Sequence, residues 1–144
     1  MEENIFPEKP TSKLYTENAI RIATFLGGPL VTGYLLADNY RQLGETQKIP
    51  TTWMGAILAT GAIFVIGLYL PANTPPYLLP IAYTIAAYYV AQNLQGVKIR
   101  AHIAAGGEIW SIWRAVVAGL VGLVIIIALA LAAFFLMDQY FVGP

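Results

Sequence analysis

Residues 25–41 read FLGGPLVTGYLLADNYR, an apolar run that Gly27, Gly28 and Pro29 interrupt and that charged residues close. The charge-free stretch that contains this break, residues 22–37, is sixteen residues long. A helix that crosses a membrane needs roughly 17 to 25 residues, so this stretch is slightly short. The sequence leaves two structures open: a short spanning helix that is broken or kinked at the glycines, or a re-entrant segment that enters the membrane, breaks and returns.

The composition of the whole chain indicates a membrane protein. Of its 144 residues, 58% are hydrophobic and only 11% are charged, and the mean hydropathy is +0.63, whereas a soluble domain has roughly 25% charged residues. Eight basic and eight acidic side chains balance, so the charge gives no sign of a nucleic-acid partner. With no cysteine and a single histidine, the chain offers neither a thiolate site nor a multi-histidine metal site. We therefore expect no cofactor, and we expect the lipid bilayer as a partner.

Four apolar segments predict four transmembrane helices. Their approximate bounds are 17–40, 51–70, 77–95 and 115–137. The fourth gives the strongest signal, because its twenty-three residues contain no charge and exceed the length needed to span a membrane. The predicted fold is an all-α integral membrane protein with a polar tail over residues 1–15 and a single helical domain over residues 16–144.

The segment between the third and fourth helices has the composition of a membrane-surface element. Residues 97–114 carry several basic side chains and two tryptophans, Trp110 and Trp113, at helical spacing. Tryptophan and basic residues favour the headgroup level of a bilayer. We predict that this segment lies along the interface with both indoles on one face; a binding loop is the alternative.

The basic residues also predict an orientation. They cluster in the loops 41–50 and 96–114, which the positive-inside rule places in the cytoplasm, so residues 71–76 and the carboxy terminus lie outside. If the first segment crosses the membrane, the amino terminus is outside. If that segment is re-entrant, all eight basic residues lie inside, which the rule prefers. Because plain spanning helices are common, the prediction is four spans, with the re-entrant form as the alternative.

Small residues and one charged pair are candidate packing or functional positions in the first helix. Gly27 and Gly28 would let a ligand approach the main chain, but small residues also let membrane helices pack closely, which is the favoured explanation. Similar small-residue faces occur on the second and fourth helices. Asp38 and Arg41, three residues apart, would form either part of an ion path or an ion pair at the membrane boundary, and we favour the ion pair.

Polar residues on the third helix are the next candidates. Tyr77, Thr84, Tyr88 and Gln92 recur at helical spacing along one face. Such a stripe would make interhelical hydrogen bonds or form one wall of a path for ions or small molecules, and hydrogen bonding is favoured. No acid or base lies in the middle of the second, third or fourth helix, which argues against a proton-coupled transporter.

His102 and Glu108 are the last candidates. A histidine titrates near neutral pH, so the two side chains would serve as an acid–base pair or a pH sensor if they were close. Six residues and a glycine pair separate them, and a polar interfacial loop explains them more simply. We find no nucleophile–base set and no catalytic residue, so we do not predict an enzyme.

A motif of the form GGPL-x2-GY-x4-NY-x2-LG runs from Gly27 to Gly44. It resembles a pattern in small bacterial, Bacteroidota-like membrane proteins of uncharacterised function. Those chains similarly have four hydrophobic segments, and a histidine, glycine and tryptophan before the last helix. The resemblance covers most of residues 16–135. It implies a bacterial inner-membrane setting and a four-helix fold, and it implies no catalytic or binding residues.

These observations favour a structural or interaction subunit of a larger membrane assembly, with another membrane protein or a second copy of the chain as partner. The small-residue faces of the second and fourth helices are the expected packing surfaces. The alternative is a small oligomeric channel or transporter in which the third helix lines the path.

Overall fold

The computed structural model describes residues 8–141 and 143, and this part of the chain contains the four α-helices that the sequence predicts. They are α1 (Glu17–Gln42), α2 (Ile49–Tyr69), α3 (Leu78–Ala104) and α4 (Ile112–Phe141). Two strands of two residues each, β1 (Lys13–Leu14) and β2 (Glu108–Ile109), pair in parallel. A single 3-10 turn, Thr46–Lys48, leads into α2.

Local chemistry explains where α1 begins and breaks. Thr16 caps its start, because the side-chain oxygen accepts a hydrogen bond from the backbone N–H of Ala19 at 3.2 Å. Gly28 has φ 73° and ψ −170°, a conformation that only glycine adopts readily. Pro29 follows as the first residue of a new helical stretch, where its missing N–H costs no hydrogen bond. α1 therefore consists of two arms, residues 17–27 and residues 29–42, which we call the hairpin.

The two arms fold back on each other. The Tyr15 backbone N–H donates to the Asn39 side-chain oxygen at 2.7 Å, whereas 24 residues of straight helix would separate these positions by about 36 Å. Nearer the break, the hydroxyls of Thr24 and Thr32 are 2.7 Å apart, although a straight helix would place them about 12 Å apart along its axis. The backbone is therefore broken at Gly28 and turns back on itself, as in the second of the two alternatives that the sequence left open.

The hairpin lies at the centre of the molecule. Each of α2, α3 and α4 packs chiefly against α1. The apolar stretch of α1 is accordingly 61% buried, whereas that of α4 is 6% buried. Within residues 8–141, three helical segments are long and apolar enough to cross a membrane: Glu17–Gln42, Thr46–Tyr69 and Ile112–Phe141.

Glycines make the contact between α4 and the turn of the hairpin close. A Cβ added at Gly119 would lie 2.8 Å from the carbonyl oxygen of Ala23, and one added at Gly27 would lie 2.5 Å from the carbonyl oxygen of Gly119. Gly122 also lies against Gly27. On the other side, Gly33 lies against Ala56 of α2. Side chains at these glycines would separate the helices, which is the packing role that small residues have in membrane proteins.

The third helix is longer than predicted, and residues 97–114, which the sequence assigns to one interfacial segment, belong to several elements. α3 does not end at Gly96 but continues to Ala104, because Ile99 and His102 are buried and extend its packing surface. The rest of the segment is a turn, β2 and the first residues of α4. Trp110 packs beside Tyr15 while Trp113 is 72% exposed, so the two indoles do not share one face.

The polar tail is shorter than predicted. Lys13 and Leu14 form β1, and the side chains of Leu14 and Tyr15 are almost completely buried. They are buried because the chain that precedes α1 packs against the open end of the hairpin. Residues 1–7, which the sequence assigns to the tail, lie outside the described residues.

Candidate functional site

Buried amide groups close the open end of the hairpin. The Asn39 oxygen accepts from the Tyr15 N–H, and its nitrogen donates to the Tyr15 carbonyl and to the Gln95 side-chain oxygen, each at 2.9 Å. Gln95 in turn donates to the Leu36 carbonyl at 2.9 Å. Both amide side chains are at most 1% exposed. Because unpaired buried polar groups are costly, this network joins the chain before α1, the second arm and α3 in one arrangement.

The Tyr15 side chain extends this network to α4. Its hydroxyl accepts a hydrogen bond from Arg114 at 2.8 Å, and burial raises the pKa of the phenol. The Arg114 guanidinium lies over the Trp110 ring at 3.9 Å from its centroid, and Lys13 approaches the same ring at 5.2 Å. We call Tyr15, Asn39, Gln95, Trp110 and Arg114 the polar clasp. These contacts fix the start of α4 beside the start of α1.

The structure brings His102 and Glu108 together, but through the main chain of Glu108. The His102 Nε2–H donates a hydrogen bond to the Glu108 carbonyl oxygen at 2.8 Å. The Glu108 carboxylate instead pairs with Lys13 at 3.2 Å and Lys9 at 3.6 Å, and these cations hold the pKa of the carboxyl below its usual range. Gly107 lies directly against the imidazole. The arrangement holds the turn between α3 and α4 and leaves the carboxylate away from the imidazole.

Asp38 and Arg41 form the expected ion pair, with Arg41 donating to the Asp38 carboxylate at 3.2 Å. A second group of charges lies nearby in the chain. The Glu45 carboxylate pairs with Lys48 at 3.3 Å and also with Lys98 of α3, and the hydrogen bond from Lys98 is the main cause of its lowered pKa. Two lysines thus share one carboxylate at this end of the molecule.

Three residues of the predicted polar stripe, Thr84, Tyr88 and Gln92, lie toward the first arm of the hairpin, whereas Tyr77 precedes α3 and is 60% exposed. The Tyr88 ring lies under the Arg21 guanidinium at 5.5 Å, and Thr84 borders a small cavity of about 270 Å³ beside the same arginine. Gln92 is half-buried next to Gly96. The neighbouring Tyr83 donates to the carbonyl oxygen of Phe25. The alternative function, a channel or transporter lined by α3, stays a prediction. The packing of these residues adds no open path along the stripe.

A larger cavity lies between α2 and α3, with the hairpin as its floor. Its volume is about 880 Å³. Small residues form much of both walls: Gly55, Ala59 and Ala62 from α2, and Ala82, Ala86 and Ala87 from α3. Its floor includes Pro29, the residue that follows the break in the hairpin. The small-residue face of α2 is therefore the wall of a cavity, which we call the groove.

The polar residues that line the groove are concentrated at one end. Gln47, Lys48 and Asn93 line that end, and Tyr40 of the hairpin lies under the Lys48 ammonium at 5.4 Å from the ring centroid. The opposite end is lined by apolar residues such as Ile66 and Leu79. An apolar cavity with a few polar groups at one place is the usual form of a site for an organic ligand.

Among residues 8–141 and 143, no three histidine, aspartate or glutamate side chains come together in a way that would hold a metal ion. The polar groups are instead paired with one another in the clasp or spread along the groove. Comparison of the chain with protein-family models, with curated proteins and with solved structures found no match.

Proposed function

We propose that this chain is an integral membrane protein with three spanning helices and one re-entrant hairpin, and that it serves as an interaction subunit of a membrane assembly. α2, α3 and α4 have 21, 27 and 30 residues, so each is at least about 31 Å long, enough to cross a hydrocarbon core of about 30 Å. α2 and α4 are also apolar enough to cross, and we include α3, which is less apolar, because of its length. The arms of the hairpin have lengths of about 16 and 21 Å, and neither would cross.

The contacts of the hairpin give its depth. Its turn lies against Gly119 and Gly122 of α4, about 11 to 15 Å along the helix axis from the start of α4 at Ile112. Its open end lies beside Gln95 of α3, while the Tyr83 hydroxyl reaches the turn, twelve residues or about 18 Å away. These distances of about 11 to 18 Å support a hairpin that reaches about halfway into a hydrocarbon core of about 30 Å.

A re-entrant hairpin requires partners for the backbone groups that its break exposes, because lipid offers none. Pro29 has no N–H and leaves the Phe25 carbonyl without its normal helical partner, and the Tyr83 hydroxyl donates to that carbonyl. The Thr24 hydroxyl donates to the Ile20 carbonyl and lies 2.7 Å from the Thr32 hydroxyl. Protein groups therefore surround the break as the proposal requires.

The charges support one orientation for this topology. Lys9 and Lys13 pair with Glu108 in the turn before α4, so the chain before α1 lies on the same side as that turn. All the basic residues then lie on one side, which the positive-inside rule identifies as the cytoplasm. Residues 71–76 and the carboxy terminus lie outside. The resemblance noted in the sequence makes the bacterial inner membrane the proposed location.

The exposure of the outer part of α4 is the main support for the proposed subunit role. Gly122 is the last buried residue of α4, and no residue in the range 123–141 is buried. Large apolar side chains such as Phe134 and Phe135 are about 70% exposed. Since α2, α3 and α4 pack against the hairpin rather than against one another, the outer half of the bundle is open. A helix of another protein or of a second copy would complete it.

A photo-crosslinking experiment tests this role. Benzoylphenylalanine in place of Phe135 should form adducts with a specific protein or a second copy in native membranes, and the purified complex should exceed the 15.7 kDa of one chain. The matched control places the same amino acid at Val97, which is equally exposed but lies at the cytoplasmic end of α3. A monomer of 15.7 kDa that gives no adduct at either position would contradict the proposal.

A further inference from the structure

We propose that the groove binds one anionic phospholipid-type amphiphile, with its acyl chains between α2 and α3 and its phosphate at Lys48. This inference rests on the membrane location proposed above. It adds a ligand class and a headgroup preference to that proposal.

The charges at the polar end favour an anionic headgroup. Lys48 and Lys98 share the single carboxylate of Glu45, so this group carries a net charge of +1. The Lys48 side chain is 45% exposed and still has N–H donors for another acceptor. Gln47 and Asn93 add polar groups at the same level. α2 also begins at Ile49 next to this end, and a helix amino terminus attracts negative charge.

The distribution of polarity fits a molecule with one head and a long tail. From Lys48 to Ile66 the wall formed by α2 runs for eighteen residues, or about 27 Å. Polar side chains are concentrated at its cytoplasmic end, at the depth of the open end of the hairpin. Farther along, alanines and larger apolar residues such as Ile63 and Ile66 line the groove between the two helices.

The size of the groove suits a small amphiphilic ligand. Its volume is about 880 Å³. It lies within the range of roughly 300 to 1,000 Å³ that is usual for ligand sites. The outer surface of α4 is the proposed place for a partner helix.

Native mass spectrometry of the full chain in mild detergent tests the inference. The protein is mixed with equal amounts of phosphatidylglycerol and phosphatidylcholine that have the same acyl chains. We expect one bound lipid, with the anionic lipid preferred by about five-fold, as one uncompensated lysine near a membrane surface implies. Lys48→Gln should reduce that preference to near parity.

A pair of tryptophan variants tests the position of the tails. Ala59 lines the groove, so Ala59→Trp should fill it and reduce binding of both lipids. Leu58 is the adjacent residue, is 67% exposed and does not line the groove, so Leu58→Trp should bind as the unmodified protein does. Circular dichroism and size-exclusion profiles check that each variant is folded. If Ala59→Trp fails to fold, the result for Lys48→Gln still decides the headgroup preference.

Three results would overturn the inference: equal binding of the two lipids, an unchanged preference in Lys48→Gln, or equal lipid binding by the two tryptophan variants. If a protein co-purifies with the chain and is lost only in Ala59→Trp, the occupant of the groove is a helix of that protein and not a lipid. Failure of the membrane proposal is distinguishable, because the chain would then remain in solution without detergent. A membrane-bound chain with no lipid preference would contradict only this inference.

Discussion

The Asn39 side chain joins three separate parts of the chain. Its amide group holds both backbone groups of Tyr15 and the side chain of Gln95, which lie 24 and 56 residues away in the chain. All of these atoms are buried, so water does not replace a lost partner. The position of Asn39 after a run of apolar residues is visible in the sequence, but its partners are not, because helical periodicity carries no information about contacts over such separations.

Replacing Asn39 by alanine should therefore destabilise the fold strongly. The variant leaves the Tyr15 N–H and carbonyl and the Gln95 oxygen without partners, and we expect a loss of about 2 to 3 kcal/mol in the free energy of unfolding. Equilibrium unfolding in mixed detergent micelles measures it. The control is Asn93→Ala, at an exposed amide on α3, with an expected change within about 0.5 kcal/mol. Equal effects of the two substitutions would contradict the role of the clasp.

Glu108 gives the chain a pH-dependent contact. Lys13 and Lys9 lower the pKa of its carboxyl below the ordinary 4.5. A lowered pKa in the folded state means that the ion pairs stabilise the fold above the unfolded pKa and that this contribution disappears as the pH falls through the folded pKa. Glu108→Gln should thus lower the thermal midpoint slightly at pH 7. At a pH below the folded pKa the variant and the unmodified protein should agree, and an equal difference at both pH values would refute the assignment.

The hairpin is the element on which the other helices assemble. Its break follows from the local sequence, because Gly28 adopts a glycine conformation and Pro29 begins the second arm. The angle between the arms does not follow from the local sequence, since the clasp and the close contacts of Gly27 and Gly119 determine it. The same limit explains why the end of α3 was mispredicted: Gly96 indicates a helix end locally, but packing against the start of α1 extends the helix to Ala104.

A substitution at Gly28 tests whether this conformation is required. No other atom lies within 4 Å of a Cβ added there, so Gly28→Ala would change only the backbone preference. At φ 73° and ψ −170° we expect a cost of about 1 to 3 kcal/mol in the free energy of unfolding. Gly61→Ala is the matched control, because its Cβ also meets open space and its backbone is helical. That control should be neutral or stabilising, and a neutral Gly28→Ala would argue against the break.

At the scale of the whole molecule, the sequence predicts the number of helices well and their arrangement poorly. Charge-free length identifies α2 and α4, because a membrane imposes that length directly. The groove and the clasp depend on which helices are neighbours, and neither hydropathy nor charge specifies that α2, α3 and α4 all pack on α1. Lys48 and Lys98 illustrate the point: the sequence assigns them to different loops, and the fold places both on Glu45.

The side of the membrane on which the amino terminus lies is the central consequence of the proposal that the hairpin is re-entrant. Single cysteines in place of Lys9 and Asn73 report it, and the cysteine-free chain provides the background. Intact cells are treated with a membrane-impermeant maleimide, and permeabilised cells are the control for reactivity. We expect labelling at position 73 in intact cells and at position 9 only after permeabilisation. Labelling at position 9 in intact cells would mean that α1 crosses the membrane and would contradict the account.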